Sequence, residues 1–333
     1  MTVPSDHFRS AALAGIATAL AAIAGPAAAQ DAWPTRPITM VVGFDAGGSA
    51  DLTARAVARF MPEEIGQPVI VVNRPGAGSQ LAASYVLSRP QDCSTVFFSA
   101  LSPYLATSIL VTNADYTLDD FAYINSQWSD WEIIAVHKDS PYKTLPDLLK
   151  AAKDNPGKIS TSSVFSSSGH LTTLLLLDAF EVPHENVKFV AYDSGGAQRT
   201  ALAGANVDFM STAGDGSEGV RDFIRPLAVM RTERHPRWDA PTVKEALGDI
   251  GAKLPIVHGA MRGMAVPKGC RDDHPERYKK VVDAYKRTLE REDAKAFMKE
   301  AKIGAEWIGP EATTSAMKDT FSVYERYRDA LKQ

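Results

Sequence analysis

The residues best suited to chemistry lie where a short apolar run meets a helix-like segment, at Gly47, Gly48, Ser49 and Asp51. Glycine is costly in ordered structure, so two adjacent glycines at such a junction indicate that another group approaches the backbone closely. A helix N-terminus carries unpaired N–H groups and a partial positive charge, and it attracts anions. The pattern predicts an anion site here, with Ser49 as a hydroxyl donor and Asp51 as a helix cap. A tight turn that binds nothing is the alternative.

Loops rich in Gly, Ser and Asp also follow four later apolar runs. They comprise residues 73–79, 162–169, 193–196 and 212–217. The carboxyl ends of parallel strands meet at one edge of a sheet, and open α/β sheets bind their ligands at that edge. The repetition therefore favours one shared ligand site over five independent turns.

Sequence motifs for catalysis, nucleotide cofactors and metals do not occur. Ser49 is not part of a G-x-S-x-G elbow, and there is no Walker-type Gly-Lys-Ser/Thr sequence. The run from Gly76 to Gly78 begins like a dinucleotide fingerprint, but Leu81 replaces the third glycine. The histidines show neither H-x-H nor H-E-x-x-H spacing. We therefore expect no enzymatic activity, no cofactor and no metal.

The elements that must position these loops alternate between strands and helices. From Ile38 onward, β-rich apolar runs are separated by segments of helix length, which is typical of βαβ units with a buried parallel sheet. A second series of the same kind begins after Trp131. The pattern predicts an α/β protein with two domains, each a mostly parallel sheet flanked by helices.

The predicted domain organisation has three parts. Residues 1–29 are typical of a signal peptide, with an Ala/Leu/Ile run followed by small residues at a cleavage site. Domain 1 comprises residues 30–131 and 254–333, and domain 2 comprises residues 132–253. The helical tail from His274 onward is expected to cover the first sheet.

Composition and charge restrict the partners of the mature chain. Removal of residues 1–29 takes away Asp6 and Arg9 together, so 304 residues (333 minus 29) keep a net charge of -4. This mild negative balance, without a basic block, argues against nucleic acid as a partner. No later stretch is long and apolar enough to cross a membrane, so we expect a periplasmic product.

Several side chains allow two interpretations. Cys93 and Cys270 are far apart in sequence, and whether they pair depends on a geometry that the sequence does not give. His170, at a predicted helix start, either donates to a ligand or has a structural role. Trp128 and Trp131 lie at the presumed crossing between the domains, where packing is favoured over stacking on a ligand.

The segments WPTRPITMVVGFDAGGSADLTARAVA and IGQPVIVVNRPGAGS resemble the N-terminal signature of the Bug-type extracytoplasmic receptors of tripartite tricarboxylate transporters. The likeness continues through NPGKIS, SGHL, YDSGG, ALAGANVDFM and RGMAVPKG, and it spans nearly the whole mature chain. The resemblance implies a type II periplasmic-binding-protein fold of the Venus-flytrap kind. It also implies a monomer that holds a small organic acid between its domains and delivers it to the membrane subunits of a transporter.

The resemblance further implies which residues bind the ligand. The family typically places a carboxylate on the loop that matches residues 44–51, and residues 162–168 and 193–196 face that loop from the other domain. The candidate ligand-binding residues are Phe44, Asp45, Ala46, Gly47, Gly48, Ser49, Asp51, Ser99, Ser163, Ser166, Ser167, Ser168, His170, Asp193, Ser194, Gly195 and Asp215.

Departures from the family pattern narrow the ligand class. Asp45 replaces a common proline or alanine, and its carboxylate would repel an anion that carries no donor. The loop SSVFSSSG has fewer glycines than usual. YDSGG lacks the cation of the commoner Tyr-Lys/Arg-Gly-Gly, which leaves Asp193 and Asp215 at the far end of the site. We therefore expect a monocarboxylate, an amino acid or a hydroxy acid, and not a tricarboxylate.

Two other functions remain as alternatives. The first is a ligand-sensing periplasmic adaptor that docks on a signalling membrane protein. The second is an exported α/β enzyme, which would need a nucleophile and a base that the motifs do not provide.

Overall fold

The computed structural model describes residues 1–2, 33–192 and 194–332. The predicted signal peptide, residues 1–29, lies almost wholly outside these residues, and so does Asp193. Both therefore stay predictions. None of the helices in the described part of the chain is long and apolar enough to cross a membrane.

Strands and helices alternate along the described chain. The strands are β1 Ile38–Val42, β2 Val69–Asn73, β3 Thr95–Ser102, β4 Phe121–His137, β5 Ile159–Ser163, β6 Val187–Ala191, β7 Phe209–Ala213, β8 Ile224–Met230 and β9 His258–Pro267. The helices are α1 Ser49–Ile65, α2 Gln80–Leu87, α3 Tyr104–Leu110, α4 Leu145–Asp154, α5 Ser168–Ala179, α6 Gly195–Ala203, α7 Val243–Leu247, α8 Asp249–Ala252, α9 Lys268–Asp272, α10 Pro275–Glu290, α11 Glu292–Glu300, α12 Gly309–Arg326 and α13 Arg328–Leu331. Short 3-10 segments span Ala77–Ser79, Leu118–Asp120, His184–Asn186 and Asp215–Phe223.

The strands form two sheets that share β4. The first lobe is built on the order β2-β1-β3-β9-β4, and the second lobe on β6-β5-β7-β4-β8. In each described sheet a single strand, β9 or the end of β4, runs against the others. Each sheet is therefore mostly parallel, as the continuous apolar runs predict.

Strand β4 carries the chain from one lobe to the other. Its first part pairs with β9 as far as Trp131, whereas Glu132 and the residues after it pair with β7 and β8. The change of partners therefore falls between Trp131 and Glu132. The predicted domain bounds stay a prediction.

The C-terminal helices pack on both lobes. Helix α10 packs against α1, and its Val281 and Tyr285 belong to the core of the first lobe. In contrast, Tyr324 of α12 and Leu331 of α13 are fully buried in the core of the second lobe. Met317 of α12 still packs in the first lobe. The prediction that the whole tail covers the first sheet is therefore wrong for the end of α12 and for α13, because Tyr324 and Leu331 are buried in the second lobe.

The two cysteines form a disulfide. Cys93 precedes β3, Cys270 lies in α9, and the bond joins two parts of the first lobe that are 177 residues apart in sequence. The sequence left this pairing open, and the fold brings the two Cα atoms to 5.0 Å.

Candidate ligand-binding cleft

A cleft of about 1190 Å3 lies between the two lobes. The first lobe contributes the loop that ends at α1, together with Tyr104 and Arg262. The second lobe contributes the first residues of α5 and α6, and residues 129–132 of β4 lie between the two walls. A second depression, of about 800 Å3, lies beside the start of α10, away from all of these loops.

The N-terminus of α1 opens into the cleft without a side-chain cap. Gly48 is the N-cap residue, with φ -71° and ψ 163°, and no described side chain accepts a hydrogen bond from the N–H groups of the first turn. Gly47 has φ +84°, a conformation that strongly favours glycine. The first N–H groups of a helix have no partner within the helix, so this end of α1 is suited to an anion.

Asp51 fixes the shape of this loop and does not cap the helix, contrary to the prediction. Its Oδ2 accepts hydrogen bonds from the Gly47 N–H at 2.9 Å and from Arg55 Nε at 2.9 Å, and its Oδ1 accepts from Asn73 at 2.9 Å. Burial alone would raise the pKa of Asp51, but the hydrogen bonds from Arg55, Gly47 and Asn73 hold that pKa below its usual value. The carboxylate is therefore engaged within the loop, and Asp51 does not line the cleft.

Arg262 of β9 lies beside the start of α1. Its Nε donates to Ser49 Oγ at 2.9 Å, and its Nη1 donates to the Ala260 carbonyl at 3.2 Å. The guanidinium lies over the Trp128 ring, with Cζ 4.2 Å from the centroid, and its Nη2 is 3.7 Å from Asp130 Oδ2. A buried cation therefore stands next to the open helix end.

Two buried carboxylates face the cleft from the crossing strand β4. Glu132 Oε1 accepts a hydrogen bond from Ser168 Oγ at 2.7 Å, whereas Glu132 Oε2 has no hydrogen-bond partner in the described part of the chain. Burial raises the pKa of Glu132 to about 7. The nearby Asp130 charge adds to this rise, whereas the hydrogen bond from Ser168 opposes it. Burial also raises the pKa of Asp130, despite Arg262 and the hydrogen bond from the Trp131 N–H at 2.8 Å.

The helices of the second lobe begin with side-chain caps. Ser167 Oγ accepts from the His170 N–H at 3.2 Å at the start of α5, and Ser194 Oγ accepts from the Ala197 N–H at 3.3 Å at the start of α6. Gly169 permits α5 to lie close to β7, since a Cβ there would come within 2.1 Å of the Ser211 carbonyl oxygen. Unlike α1, these helices have already filled part of their N-terminal hydrogen-bonding capacity.

The second lobe also brings arginines to the cleft, which corrects the expectation of a far end without a cation. Arg199, Arg231 and Arg237 all line this wall. Arg199 Nη2 donates to the Ala213 carbonyl at 2.9 Å, and Arg237 Nη2 donates to Asp215 at 3.0 Å. The motif YDSGG lacks a cation, but other parts of the fold supply cations at the same wall.

Asp215 is engaged by the protein itself. Its Oδ1 accepts from Arg237 and from Trp131 Nε1 at 3.4 Å, and its Oδ2 accepts from Trp128 Nε1 at 3.4 Å. Trp131 also stacks on His235, with 4.6 Å between the ring centroids. Both tryptophans therefore pack against protein groups, which was the favoured interpretation of their positions.

The structure brings about half of the predicted site residues to the cleft. Those that line it are Phe44, Gly48, Ser49, Ser167, Ser168, Ser194, Gly195 and Asp215. Those that do not line it are Asp45, Ala46, Gly47, Asp51, Ser99, Ser163, Ser166 and His170. Asp193 lies outside the described residues.

Ser99 and His170 lie away from the cleft for identifiable reasons. Ser99 is fully buried in β3, and its Oγ lies 3.0 Å from Ser79 Oγ. His170 packs against the rings of Phe165 and Phe189, and its Nδ1 accepts from the Ser166 N–H at 3.1 Å. Burial lowers the pKa of His170 to about 4, so it is a neutral structural residue.

Sequence reasoning missed the charged residues of the cleft. Arg262, Asp130, Glu132 and Arg199 lie inside strands or helices, where no glycine or serine pattern marks them. The signal that was available is the run SDWEIIAV, in which two carboxylates interrupt an otherwise apolar strand. In the part of the chain that the structure describes, no group of three or more His, Cys, Asp or Glu residues is arranged to hold a metal ion.

The chain matches the family model described as "Tripartite tricarboxylate transporter family receptor" over residues 53–318. It is 35% identical over 289 residues to the "UPF0065 protein in gbd 5'region" of Cupriavidus necator, which covers 84% of each chain. It is 30% identical over 247 residues to "Protein BugT" of Bordetella pertussis, which covers 71% of this chain and 73% of the relative.

Solved structures share the fold. A TctC solute-binding protein from Polaromonas aligns with a TM-score of 0.73 at 24% identity, over 90% of this chain and 99% of that one. MatC from Rhodopseudomonas palustris, solved with bound malate, aligns with a TM-score of 0.70 at 24% identity, over 89% of this chain and 99% of that one. The predicted two-domain solute-binding fold is thereby confirmed.

Proposed function

Since the chain belongs to the tripartite tricarboxylate transporter receptor family, we propose that it captures a small carboxylate in the cleft and presents it to such a transporter. One observation carries the proposal. The uncapped N-terminus of α1 opens into the cleft between the lobes, and the buried guanidinium of Arg262 lies beside it, bonded to Ser49. Backbone N–H groups, a hydroxyl and a cation are together the donors that a carboxylate requires.

The charges around the cleft support an anionic ligand. Among the described residues, six Arg or Lys side chains and five Asp or Glu side chains line it, although the whole chain has a net charge of -4. A monocarboxylate, an amino acid or a hydroxy acid suits this near balance better than a tricarboxylate, because buried carboxylates on β4 would repel additional negative charge.

The energetic demand on the site is modest. Micromolar affinity corresponds to about 8 kcal/mol. A few charge-assisted hydrogen bonds at the start of α1, together with an enclosed apolar body beside Phe44 and Tyr104, are of this order.

The proposed cellular role follows from the family. The receptor works as a monomer in the periplasm after removal of its signal peptide, and it carries out no chemistry on the ligand. Closure of the lobes around the acid supplies the form that the membrane subunits recognise. MatC, a structural relative, was solved with malate, a small hydroxy acid that carries two carboxylates.

Thermal unfolding tests this function directly. The mature protein is refolded to remove carried-over ligand and is then melted with mono-, di- and tricarboxylates, amino acids and NAD. A ligand at a hundred times its dissociation constant adds about 2.7 kcal/mol of stability. A shift with one class of small acid supports the proposal. No shift with any acid, or a shift with NAD alone, contradicts it.

A further inference from the structure

We propose that Asp130 and Glu132 form a subsite for a hydrogen-bond donor on the ligand, so that the receptor selects acids that carry an ammonium or hydroxyl group close to the carboxylate. The inference rests on the proposed function and specifies the ligand of the same cleft. In this proposal the open end of α1 holds the ligand carboxylate, and the two β4 side chains select the ligand.

One guanidinium, that of Arg262, joins the two subsites. Arg262 Nε donates to Ser49 at the start of α1, and Arg262 Nη2 lies 3.7 Å from Asp130 Oδ2. An acid whose carboxylate binds at the start of α1 therefore has its next few atoms within reach of β4. A donor on one of those atoms meets carboxylate oxygens there.

Glu132 carries a buried oxygen that is available to a donor. The residue is 1% exposed and lines the cleft, and its Oε1 is occupied by the Ser168 hydroxyl. Its Oε2 has no hydrogen-bond partner among the described residues. A buried carboxylate oxygen without a donor is costly, and native proteins rarely leave one in that state. The oxygen lies against the start of α5 near Gly169, so a ligand donor satisfies it when the carboxylate turns toward the cleft, whereas a second ligand carboxylate would face it with like charge.

The groups around Glu132 leave this role to the ligand. The charged and titratable neighbours are Asp130 on β4, Arg262 on β9, Arg199 on α6, Tyr104 on α3 and Tyr324 on α12. The Arg199 guanidinium donates to Ser217 and to the Ala213 carbonyl, and the Arg262 guanidinium donates to Ser49 and to the Ala260 carbonyl. Both cations stabilise charge on Glu132 from a distance, but neither fills Oε2. The Tyr324 hydroxyl does not donate to it either, since it too has no hydrogen-bond partner among the described residues.

The sign of the pH dependence separates a donor from a second acid group. Burial raises the pKa of free Glu132 to about 7. A bound ammonium favours the ionised carboxylate and lowers that pKa, so affinity for an amino acid falls as the pH drops from 8 to 6. A bound second carboxylate favours the protonated form, so affinity for a diacid rises over the same range.

The test uses three probes that share a skeleton and differ only at C2. Leucine, 2-hydroxy-4-methylpentanoate and 4-methylpentanoate carry an ammonium, a hydroxyl and a hydrogen there. Phenylalanine, phenyllactate and phenylpropionate form a second set for a larger cleft body, and succinate is the diacid. Each is titrated calorimetrically at pH 6, 7 and 8 into the refolded mature protein, its Glu132→Gln variant and a control, Glu325→Gln, on the exposed face of α12.

We expect a donor-bearing acid to bind about 10- to 100-fold more tightly than its unsubstituted partner, the value of a buried charged hydrogen bond. Glu132→Gln keeps an acceptor for Ser168, and we expect it to remove most of this preference and the pH dependence, while Glu325→Gln keeps both. Comparison of the affinities of the amino acid and the hydroxy acid identifies which donor is preferred.

Two other outcomes have different meanings. If acids bind but the unsubstituted acid or succinate binds as tightly as the donor-bearing ones, or if Glu132→Gln keeps the preference, the subsite is refuted and the receptor function stands. If no acid binds the wild-type protein, the receptor function itself fails, and this inference fails with it.

Discussion

At the scale of single residues, Arg262 links the proposed carboxylate site at the start of α1 to the proposed donor subsite on β4. It is 7% exposed, and its guanidinium contacts Ser49, the Ala260 carbonyl and the Trp128 ring. Removal of such a cation would leave Asp130 buried beside an empty space, which costs stability as well as binding. A substitution that keeps the positive charge therefore measures the effect of the hydrogen-bond geometry alone.

We predict that Arg262→Lys weakens binding of the acid by about 10- to 100-fold. Lysine keeps a positive charge but not the planar set of donors that reaches Ser49 and the Ala260 carbonyl together. Isothermal titration of the variant against wild type measures the change, with Arg89→Lys, which lies over the Tyr85 ring and does not line the cleft, as the control. Equal affinities for Arg262→Lys and wild type would contradict the role of Arg262.

We predict that Glu132→Gln stabilises the empty protein at high pH. The pKa of Glu132 rises from an ordinary 4.5 to about 7 on folding, so the folded form retains the proton and stability is lost as the pH rises from 4.5 through 7. Glutamine does not titrate, so the variant should gain on the order of 2–3 kcal/mol relative to wild type between pH 5 and pH 8. Urea unfolding at both pH values measures this gain. A gain that is the same at both pH values would mean that Glu132 does not titrate in this range.

At the scale of elements, three helix starts converge on the cleft and differ in how they are capped. Ser167 caps α5 and Ser194 caps α6, whereas Gly48 leaves α1 without a side-chain cap. Selection for helix stability alone favours Ser, Asp or Asn at such a position. A glycine N-cap costs only a few tenths of a kcal/mol by comparison, and it leaves the first N–H groups of α1 available to another partner.

We predict that Gly48→Asp makes the empty protein about 1 kcal/mol more stable. The backbone of Gly48 already has the extended conformation of an N-cap, and an aspartate there would accept from the first-turn N–H groups and favour the positive end of the helix. Chemical unfolding measures the gain, and Gly48→Asn separates the hydrogen bond from the charge. A loss of stability in both variants would mean that the first turn of α1 does not need a cap.

We predict that the Cys93→Ser, Cys270→Ser double variant loses about 2–5 kcal/mol of stability and keeps its ligand affinity. The disulfide joins two segments of the first lobe that are 177 residues apart and closes a loop that contains the second lobe, so its removal increases the entropy of the unfolded chain. Neither cysteine lines the cleft, so the site should retain its geometry. Urea unfolding and titration of the same preparation test both parts. An unchanged midpoint of unfolding would contradict the first part, and a weakened affinity the second.

Sequence patterns predicted the elements better than the site. Apolar runs such as residues 38–42 and the glycine-rich turns follow local rules, so the two sheets and the start of α1 were predictable. Arg262 and Glu132 come from strands that are far apart in sequence, and only the shared use of β4 by both sheets brings them together. His170 was misplaced because a helix start on the correct loop still points its side chain into the core.

At the scale of the whole molecule, the lobes are joined by few segments. Strand β4 passes from the first sheet to the second, and α12 spans both cores through Met317 and Tyr324. Such an arrangement permits hinge motion around the cleft while each lobe stays rigid. The opposing walls carry the helix starts and the arginines, so a bound acid would contact both lobes.

We predict that ligand binding makes the molecule more compact. The acid would bond to α1 on one wall and to β4 and the second lobe on the other. It therefore binds the closed form more tightly than the open form, and this difference in affinity shifts the protein toward the closed form. Small-angle scattering of the refolded protein, with and without a saturating acid, should show a smaller radius of gyration when the ligand is present. An unchanged radius with a bound ligand would contradict closure.

The measurement that tests the central claim most directly is a calorimetric titration of Gly48→Asp with the acid that stabilises wild type most. The claim is that the uncapped start of α1 holds the ligand carboxylate. We predict micromolar or tighter binding to wild type and to Ser322→Asp, which adds the same charge on an exposed face of α12. We also predict that Gly48→Asp, whose own carboxylate occupies the N–H groups, loses this binding. Full affinity in Gly48→Asp would show that the acid binds elsewhere and would contradict the account.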